Sequence, residues 1–294
     1  MERWPNFFIV GAPKAGTTSL YEYLKDVPGI YFPSIKEPSY FSYLFKSHKP
    51  LRKSVIRNKD EYLKLYQDAK EEKILGDASP AYLSVPGVAQ EIYNKIPDAK
   101  ILISLRDPVE RFFSAYLMHY RLGNFQLSFH AQLENVMNDK DGLGFQLRYR
   151  GLYFEGVKRY LDIFSPKHVK IIIFEEWVKN PKNVITEILK FLEVEGLVYN
   201  LVEEVHNPFV AARGSFARYI IKNNTIKDFA QKHIPSSVRS MLREHVLTKK
   251  QEKPQMTTQD RKTLVDFYKD DVRKLENLLG RKLPWKNFQS LNSI

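Results

Sequence analysis

The 294-residue chain contains no cysteine. That excludes disulfides, thiolate nucleophiles and Cys-ligated zinc, and it fits a reducing compartment. Long apolar runs are missing too, and no stretch approaches the length needed to cross a bilayer. The opening residues, Met1 to Val10, lack a basic region followed by an extended apolar core. No secretory leader is read there, and a soluble, cytoplasmic chain is expected. The seven histidines show no His-Glu-x-x-His or related spacing, so no metal site is expected. Internal repeats, low-complexity tracts and a convincing linker are also lacking.

Apolar residues make up 43% of the chain, ample for a sizeable core. The length suits one α/β domain with embellishments or two small domains. Lys and Arg number 46 against 34 Asp and Glu, a net charge of +12. Such an excess selects for anionic partners: a nucleotide, an acidic glycan, nucleic acid or a membrane surface. Part of it does no more than solvate the surface. The basic residues are dispersed and no RNP-like or zinc motif accompanies them, so a nucleic-acid partner is not expected.

Residues Phe7 to Val10 read as a short buried strand, followed by a loop from Gly11 to Thr18 and by apolar positions Leu20, Tyr21 and Leu24 at helical spacing. A strand, a glycine-bearing loop and a helix together present backbone N–H groups and the positive end of a helix dipole to an anion. In the Walker A pattern lysine directly follows the second glycine. Here Thr17 follows Gly16, and the lysine, Lys14, lies inside the loop.

Further strands are expected at residues 29–33, Lys73–Asp77, Lys100–Leu105 and Val169–Phe174, with helices at 60–69, Gly87–Ile96, Pro108–Arg121, Tyr153–Phe164 and Pro181–Leu192. A loop carrying Gly142 and Gly144 is expected before Tyr153. Asp107, ahead of Pro108, has the chemistry of a helix cap. The remainder reads as mostly helical. Alternating strands and helices predict a P-loop-like, three-layer α/β fold with a central parallel sheet between helices. One domain over 1–294 is expected, with a core at about 6–192 and a helical part covering the cofactor at about 193–294.

Four segments carry a more specific signal: Lys14-Ala15-Gly16-Thr17-Thr18, Lys36-Glu37-Pro38, Ser79-Pro80-Ala81-Tyr82, and Arg106-Asp107-Pro108 with Ser114. In this order they resemble the sulfotransferases that use 3′-phosphoadenosine 5′-phosphosulfate (PAPS), most of all the heparan sulfate branch and its bacterial relatives. The resemblance implies that Lys14, Ala15, Gly16, Thr17 and Thr18 bind the 5′ phosphosulfate, with Lys14 also countering charge on the leaving oxygen. It implies that Arg106 and Ser114 hold the 3′ phosphate, helped by Arg213 and Gly214, and that Glu37 is the general base. Lys36 would orient the acceptor or contact the cofactor, and Tyr153 or Phe216 would supply an aromatic slot for the purine.

Each assignment has a plainer counterpart. Glu37 can simply pair with Lys36, Arg106 with Asp107 or Glu110, and Ser114 can be a packing residue. Heparan-type enzymes have a lysine where Ala78 stands and a histidine where Ser39 stands. Asp77, before Ala78, is read either as an aid to proton transfer or as a hydrogen-bonded strand end. His119 and His206 read as structural, and Phe112, Phe113 and Tyr116 as helix core. The implied reaction moves a sulfuryl group from PAPS to a hydroxyl or amine of a polar or acidic glycan, a glycolipid or another acceptor. A P-loop nucleotide kinase or NTPase is the alternative, with Asp77 as its single candidate acid for Mg²⁺, and a non-catalytic anion binder is the third reading.

Overall fold

Five short strands carry the architecture: β1 (Phe7–Gly11), β2 (Ile30–Tyr31), β3 (Ile74–Asp77), β4 (Lys100–Leu105) and β5 (Val169–Ile173). The computed structural model describes residues 2–44, 56–139, 142–194, 210–212, 248–250 and 253–292. All five strands are parallel, in the order β2-β3-β1-β4-β5. Phe7 lies opposite Gly76 on one side and Lys100 on the other, which centres β1 in the sheet. Every residue of β1 and β3 is buried. A strand covered on both faces needs an apolar run rather than alternation, and Phe-Phe-Ile-Val in β1 and Ile-Leu-Ile in β4 supply it, while β3 carries Ile74 and Leu75 ahead of Gly76 and Asp77.

Parallel pairing requires crossovers, and helices provide them. They are α1 (Thr17–Leu24), α2 (Tyr40–Tyr43), α3 (Lys59–Lys64), α4 (Val88–Lys95), α5 (Pro108–Arg121), α6 (Phe129–Asn138), α7 (Leu143–Tyr149), α8 (Phe154–Ile163), α9 (Phe174–Trp177), α10 (Pro181–Phe191) and α11 (Thr258–Leu279). On one face Phe7, Ile9, Leu102 and Ile172 pack with Leu20, Leu24, Trp177, Ile185 and Ile188 from α1, α9 and α10. Each such aliphatic side chain contributes about 1.5–3 kcal/mol by leaving water. On the other face Phe8 meets the Phe41 ring edge-on at 5.8 Å. Leu83, from the turn at Pro80–Ser84, sits so close to Gly11 and Gly156 that a Cβ on either would lie 2.5 Å from its side chain or 2.6 Å from its carbonyl oxygen, respectively.

β4 and α5 have the bounds the sequence predicts. Asp107 does cap α5: its Oδ1 accepts the Val109 amide at 2.9 Å. The stretch before Tyr153 differs, because it forms α6 and α7 instead of a loop. Ser128 caps α6 by accepting the Ala131 amide at 3.3 Å. Gly144 lies within α7, where an added Cβ would come 2.9 Å from Val136 Cα, so here the glycine marks close packing and not a turn. The tail, read as mostly helical, also contains an antiparallel pair, β6 (Val210–Ala212) with β7 (Thr248–Lys250).

The described residues fall into two compact units. The first draws on Met1–Arg111, Tyr149–Val202 and Leu264–Ile294 and holds the five-stranded sheet; the second draws on Phe112–Arg148 and Glu203–Thr263 and holds β6 and β7. Among the described residues no helix is long and apolar enough to cross a membrane.

Inside the second unit, Tyr116 and Phe113 meet Phe129 with centroids 4.8 and 5.0 Å apart, an aromatic core between α5 and α6. Nearby, His130 Nδ1 lies 2.6 Å from Asp260 Oδ1. Asp260 also accepts the Thr257 amide while its own amide donates to Thr257 Oγ1, a reciprocal cap at the start of α11. Burial opposes ionisation of Asp260, but the bonds from His130 and Thr257 outweigh it and hold its pKa below the ordinary value. The same bond raises the His130 pKa above 6.5. The histidine contribution is therefore full below its unfolded value and disappears as pH rises through the folded one; the aspartate contribution disappears as pH falls through its depressed value. His130→Ala should cost more stability at about pH 5.5 than at about pH 8.5 in urea titrations, and an equal loss at both would contradict the pairing.

Candidate active site

Parallel strands bring their C-terminal ends to one edge of the sheet, where ligands gather near a switch in strand order. β1 has β3 on one side and β4 on the other, and the chain crosses from β3 to β4 past it, so this edge collects the loop after β1, the Asp77–Ser79 segment, Arg106 and Glu175. The end of β4 grips the first loop at three points. The Ala12 amide donates to the Ser104 carbonyl at 2.6 Å, Ser104 Oγ donates to the Ala15 carbonyl at 2.6 Å, and Arg106 Nη1 donates to the Lys14 carbonyl at 3.1 Å.

Lys14 and Gly16 have φ of 72° and 79°. This left-handed conformation suits glycine and strains lysine. Carbonyl and amide point opposite ways across a trans peptide. Pinning the Ala15 carbonyl to Ser104 therefore turns the Gly16 N–H away from β4. The first amides of α1, at Thr17 and Thr18, have no partner within the helix by construction. The Ala15 amide is different, because it closes a turn on the Ala12 carbonyl at 3.1 Å. In this geometry the Gly16 amide is turned from β4 and the Thr17 and Thr18 amides lack a helical partner, whereas Ala15 contributes by shaping the turn.

Arg106 stacks on Phe174, its guanidinium carbon 4.6 Å from the ring centroid. It forms no ion pair among the described residues, neither with Asp107 nor with Glu110, and its Nε is buried without an acceptor. Burial pulls its pKa below the usual arginine value, against the nearby Glu175 charge. An orphaned donor on a cation at a strand end fits an anionic ligand group.

On the β3 side, Glu37 and Ser39 also have left-handed φ, 61° and 57°. Lys36 Nζ lies 2.9 Å from Glu37 Oε1 and both side chains are partly exposed, so the plain pairing exists and leaves the carboxylate accessible. The Ser39 amide donates to Ser79 Oγ at 3.0 Å, tying this segment to the end of β3. Asp77 is fully buried there and accepts hydroxyl protons from Tyr62, Ser79 and Tyr82. Burial pushes its pKa up to about 6. Of its two readings, the hydrogen-bonded strand end is the one observed.

Sequence patterns gave no notice of Glu175. It follows the apolar run of β5, and its position just past a buried strand was the available signal. Its carboxylate accepts the Asp107 amide at 3.0 Å and the Trp285 indole N–H at 3.1 Å, fixing the start of α5 beside Arg106. Burial, chiefly, raises its pKa above the ordinary glutamate value.

With this geometry in view, comparison with known proteins is decisive: a sulfotransferase domain matches residues 5–278. The chain belongs to the sulfotransferase family. It is 33% identical to a sulfotransferase from Alicyclobacillus acidocaldarius of known crystal structure, with a TM-score of 0.70, covering 96% of this chain and 98% of that one. It is 27% identical over 253 residues to carbohydrate sulfotransferase 15 of Rattus norvegicus, covering 65% of this chain and 44% of the relative. A membrane-associated sulfotransferase, kil1, of Dictyostelium discoideum is 34% identical over 112 residues, 38% of this chain and 22% of that protein. The match thus spans less than half the length of these two curated relatives.

The first unit brings together Lys14, Ala15, Gly16, Thr17, Thr18 and Arg106, and holds Glu37 in the loop before α2, tied to the end of β3 through Ser39. Ser114 is half-buried on α5 and belongs to the second unit. Arg213, Gly214, Phe216 and His206 lie outside the described residues. Tyr153 does not provide a purine slot: it is fully buried and its hydroxyl donates to the Arg106 carbonyl at 2.9 Å. It supports Arg106 from below. His119 is buried against Asn124, and Phe112 and Tyr116 are core, as their sequence context predicts.

Gly16 leaves no room for a side chain. A Cβ there would lie 2.8 Å from Trp177 and 2.9 Å from Phe174, on a backbone with positive φ. Gly16→Ala should cost on the order of 2 kcal/mol or more in urea unfolding, from strain plus overlap with ring atoms. A change under about 0.5 kcal/mol would show that the loop is not seated on these rings.

Proposed function

We propose that the chain transfers a sulfuryl group from PAPS to a hydroxyl or amine of a glycan or glycolipid, without a metal ion, by in-line displacement. The observation that carries this reading is the loop after β1 locked to Arg106, with Lys14 inside the loop and the Arg106 Nε lacking an acceptor among the described residues. The named relatives support the acceptor class: one is a carbohydrate sulfotransferase, and another, 24% identical over 213 residues, is a human heparan sulfate glucosamine 3-O-sulfotransferase. The mouse sulfotransferase SULT7A1, 16% identical with a TM-score of 0.50, has been crystallised with PAP.

PAPS, when bound, supplies the activated sulfuryl group. The amides of Gly16, Thr17 and Thr18 hold its 5′ side by the helix-terminus geometry. Arg106 and Ser114 take the 3′ phosphate, with Arg213 and Gly214 as further contacts. Lys14 supplies positive charge at the leaving oxygen. Glu37 accepts the proton of the attacking acceptor group, and Lys36 keeps the carboxylate oriented at the mouth of the site. The kinase alternative loses its footing at Asp77, whose carboxylate is buried and committed to hydroxyl donors.

Calorimetry with adenosine 3′,5′-bisphosphate in EDTA should show tight binding, and Arg106→Ala should weaken it by roughly 10- to 100-fold, the loss of a charged hydrogen-bonding group. Metal-dependent ATP binding with no response to the bisphosphate would sink the proposal. Glu37→Gln should retain bisphosphate affinity yet lower transfer from labelled PAPS by at least about 100-fold. The acceptor for that assay comes from screening glycan and lipid extracts with labelled PAPS, and turnover retained by the variant would remove Glu37 as base.

A further inference from the structure

The segment carrying Glu37 is held from an unexpected place. Residues 37 and 39 have left-handed φ, a conformation that non-glycine residues keep only when their surroundings impose it. Two backbone amides in this segment are captured by side chains of the β3 end. The Ser39 N–H donates to Ser79 Oγ at 3.0 Å, and the Phe41 N–H donates to Tyr82 Oη at 3.3 Å.

Each of those hydroxyls owns a single proton, which has to point elsewhere if its lone pairs are to face an amide. It points at Asp77. Ser79 Oγ donates to Asp77 Oδ1 at 2.6 Å, and Tyr82 Oη donates to Asp77 Oδ2 at 3.0 Å. Tyr62 adds a third donor at 2.6 Å. Asp77 makes no ion pair among the described residues, and Asp77, Ser79, Tyr62 and Tyr82 are all 0% exposed.

We propose that Asp77 is a positioning residue for Glu37: its carboxylate orients the Ser79 and Tyr82 hydroxyls so that they accept the Ser39 and Phe41 amides and fix the strained segment that presents Glu37. A buried carboxylate without a cation is costly, and burial shifts its pKa upward accordingly. Only an acceptor-only group can receive three hydroxyl protons at once, which accounts for an acid at this position where an apolar side chain would pack more cheaply. The inference rests on the reading of Glu37 as the base.

The test combines a readout that needs no turnover with one that does. Amide hydrogen exchange in Ser79→Ala and Tyr82→Phe should become at least about 10-fold faster at Ser39 and Phe41 respectively, with the amides of β1 unchanged, because local opening is no longer opposed. Sulfuryl transfer from labelled PAPS to the screened acceptor should fall about 10-fold in kcat, with bisphosphate affinity kept, a loss of transition-state rather than ground-state contacts. Ser79→Thr, which restores the hydroxyl, should recover both. In a Glu37→Gln background the Ser79→Ala change should add no further loss of rate, since nothing remains to be positioned. Asp77→Asn, with one acceptor oxygen in place of two, should reproduce both defects, and the Ser79 and Tyr82 variants decide the matter if it does not fold.

Unchanged exchange at residues 39 and 41 would overturn the proposal, as would an equal loss of rate with and without Glu37, the mark of a purely structural contribution. Full turnover in Glu37→Gln alone would instead overturn the base reading, and the exchange data would still show whether Asp77 fixes the segment.

Discussion

The grip of β4 on the loop after β1 is the constraint from which the rest of the site follows. Left alone, the loop would have no reason to place a lysine at φ of 72°. The Ser104 hydroxyl and the Arg106 guanidinium draw the Ala15 and Lys14 carbonyls toward the end of β4. The planarity of the peptide group then commits the next amide to the opposite direction. Anion binding at such a loop does not require that its lysine follow the second glycine. It requires that carbonyls be tied down so that amides turn outward, and here the sheet itself does the tying. Arg106 contributes twice, shaping the loop through Nη1 while its Nε stays without an acceptor among the described residues.

The strand ends also explain how two acids near one site escape being interchangeable. Glu37 is partly exposed and accompanied by Lys36, whereas Asp77 is sealed among hydroxyls. An exposed carboxylate can meet an acceptor molecule; a sealed one can only organise its neighbours. Raised pKa values mark functional groups in many clefts, but desolvation alone produces the same signature. At Asp77 burial is the largest cause, so the shift reports where the group sits more than what it does.

Much of this was legible in the sequence because its determinants are local. β4 is a continuous apolar run with a cap and a proline directly behind it, and both it and α5 fall where those signals put them. The loop after β1 was visible because glycine spacing and a misplaced lysine are features of adjacent residues. The Asp77 network was not, since it joins Tyr62, Ser79 and Tyr82 to amides of residues 39 and 41 that only the fold brings near. The same holds for β6 and β7, where Ala212 pairs with Thr248 across a long stretch of chain. Tyr153 misled for a related reason: an aromatic beside a motif reads as a ligand slot, yet here it packs beneath Arg106 near Trp285. Gly144 carried a turn signal that tertiary packing overrode, because it is required where α7 approaches Val136.

The positive φ angles join these threads. Lys14, Glu37 and Ser39 are three of the four non-glycine residues with positive φ among those described, and all three lie in the two segments that carry the proposed chemistry. Such a conformation costs roughly 1–2 kcal/mol per residue, which isolated loops do not sustain. At Lys14 the compensation is visible as hydrogen bonds from β4, and at Glu37 and Ser39 as hydroxyls anchored on Asp77. In both places a side chain at the end of a neighbouring parallel strand holds the strained backbone. The Lys36–Glu37 contact is therefore compatible with a catalytic carboxylate: the backbone is fixed from beneath through the end of β3, and the partly exposed ion pair meets the tip of the side chain.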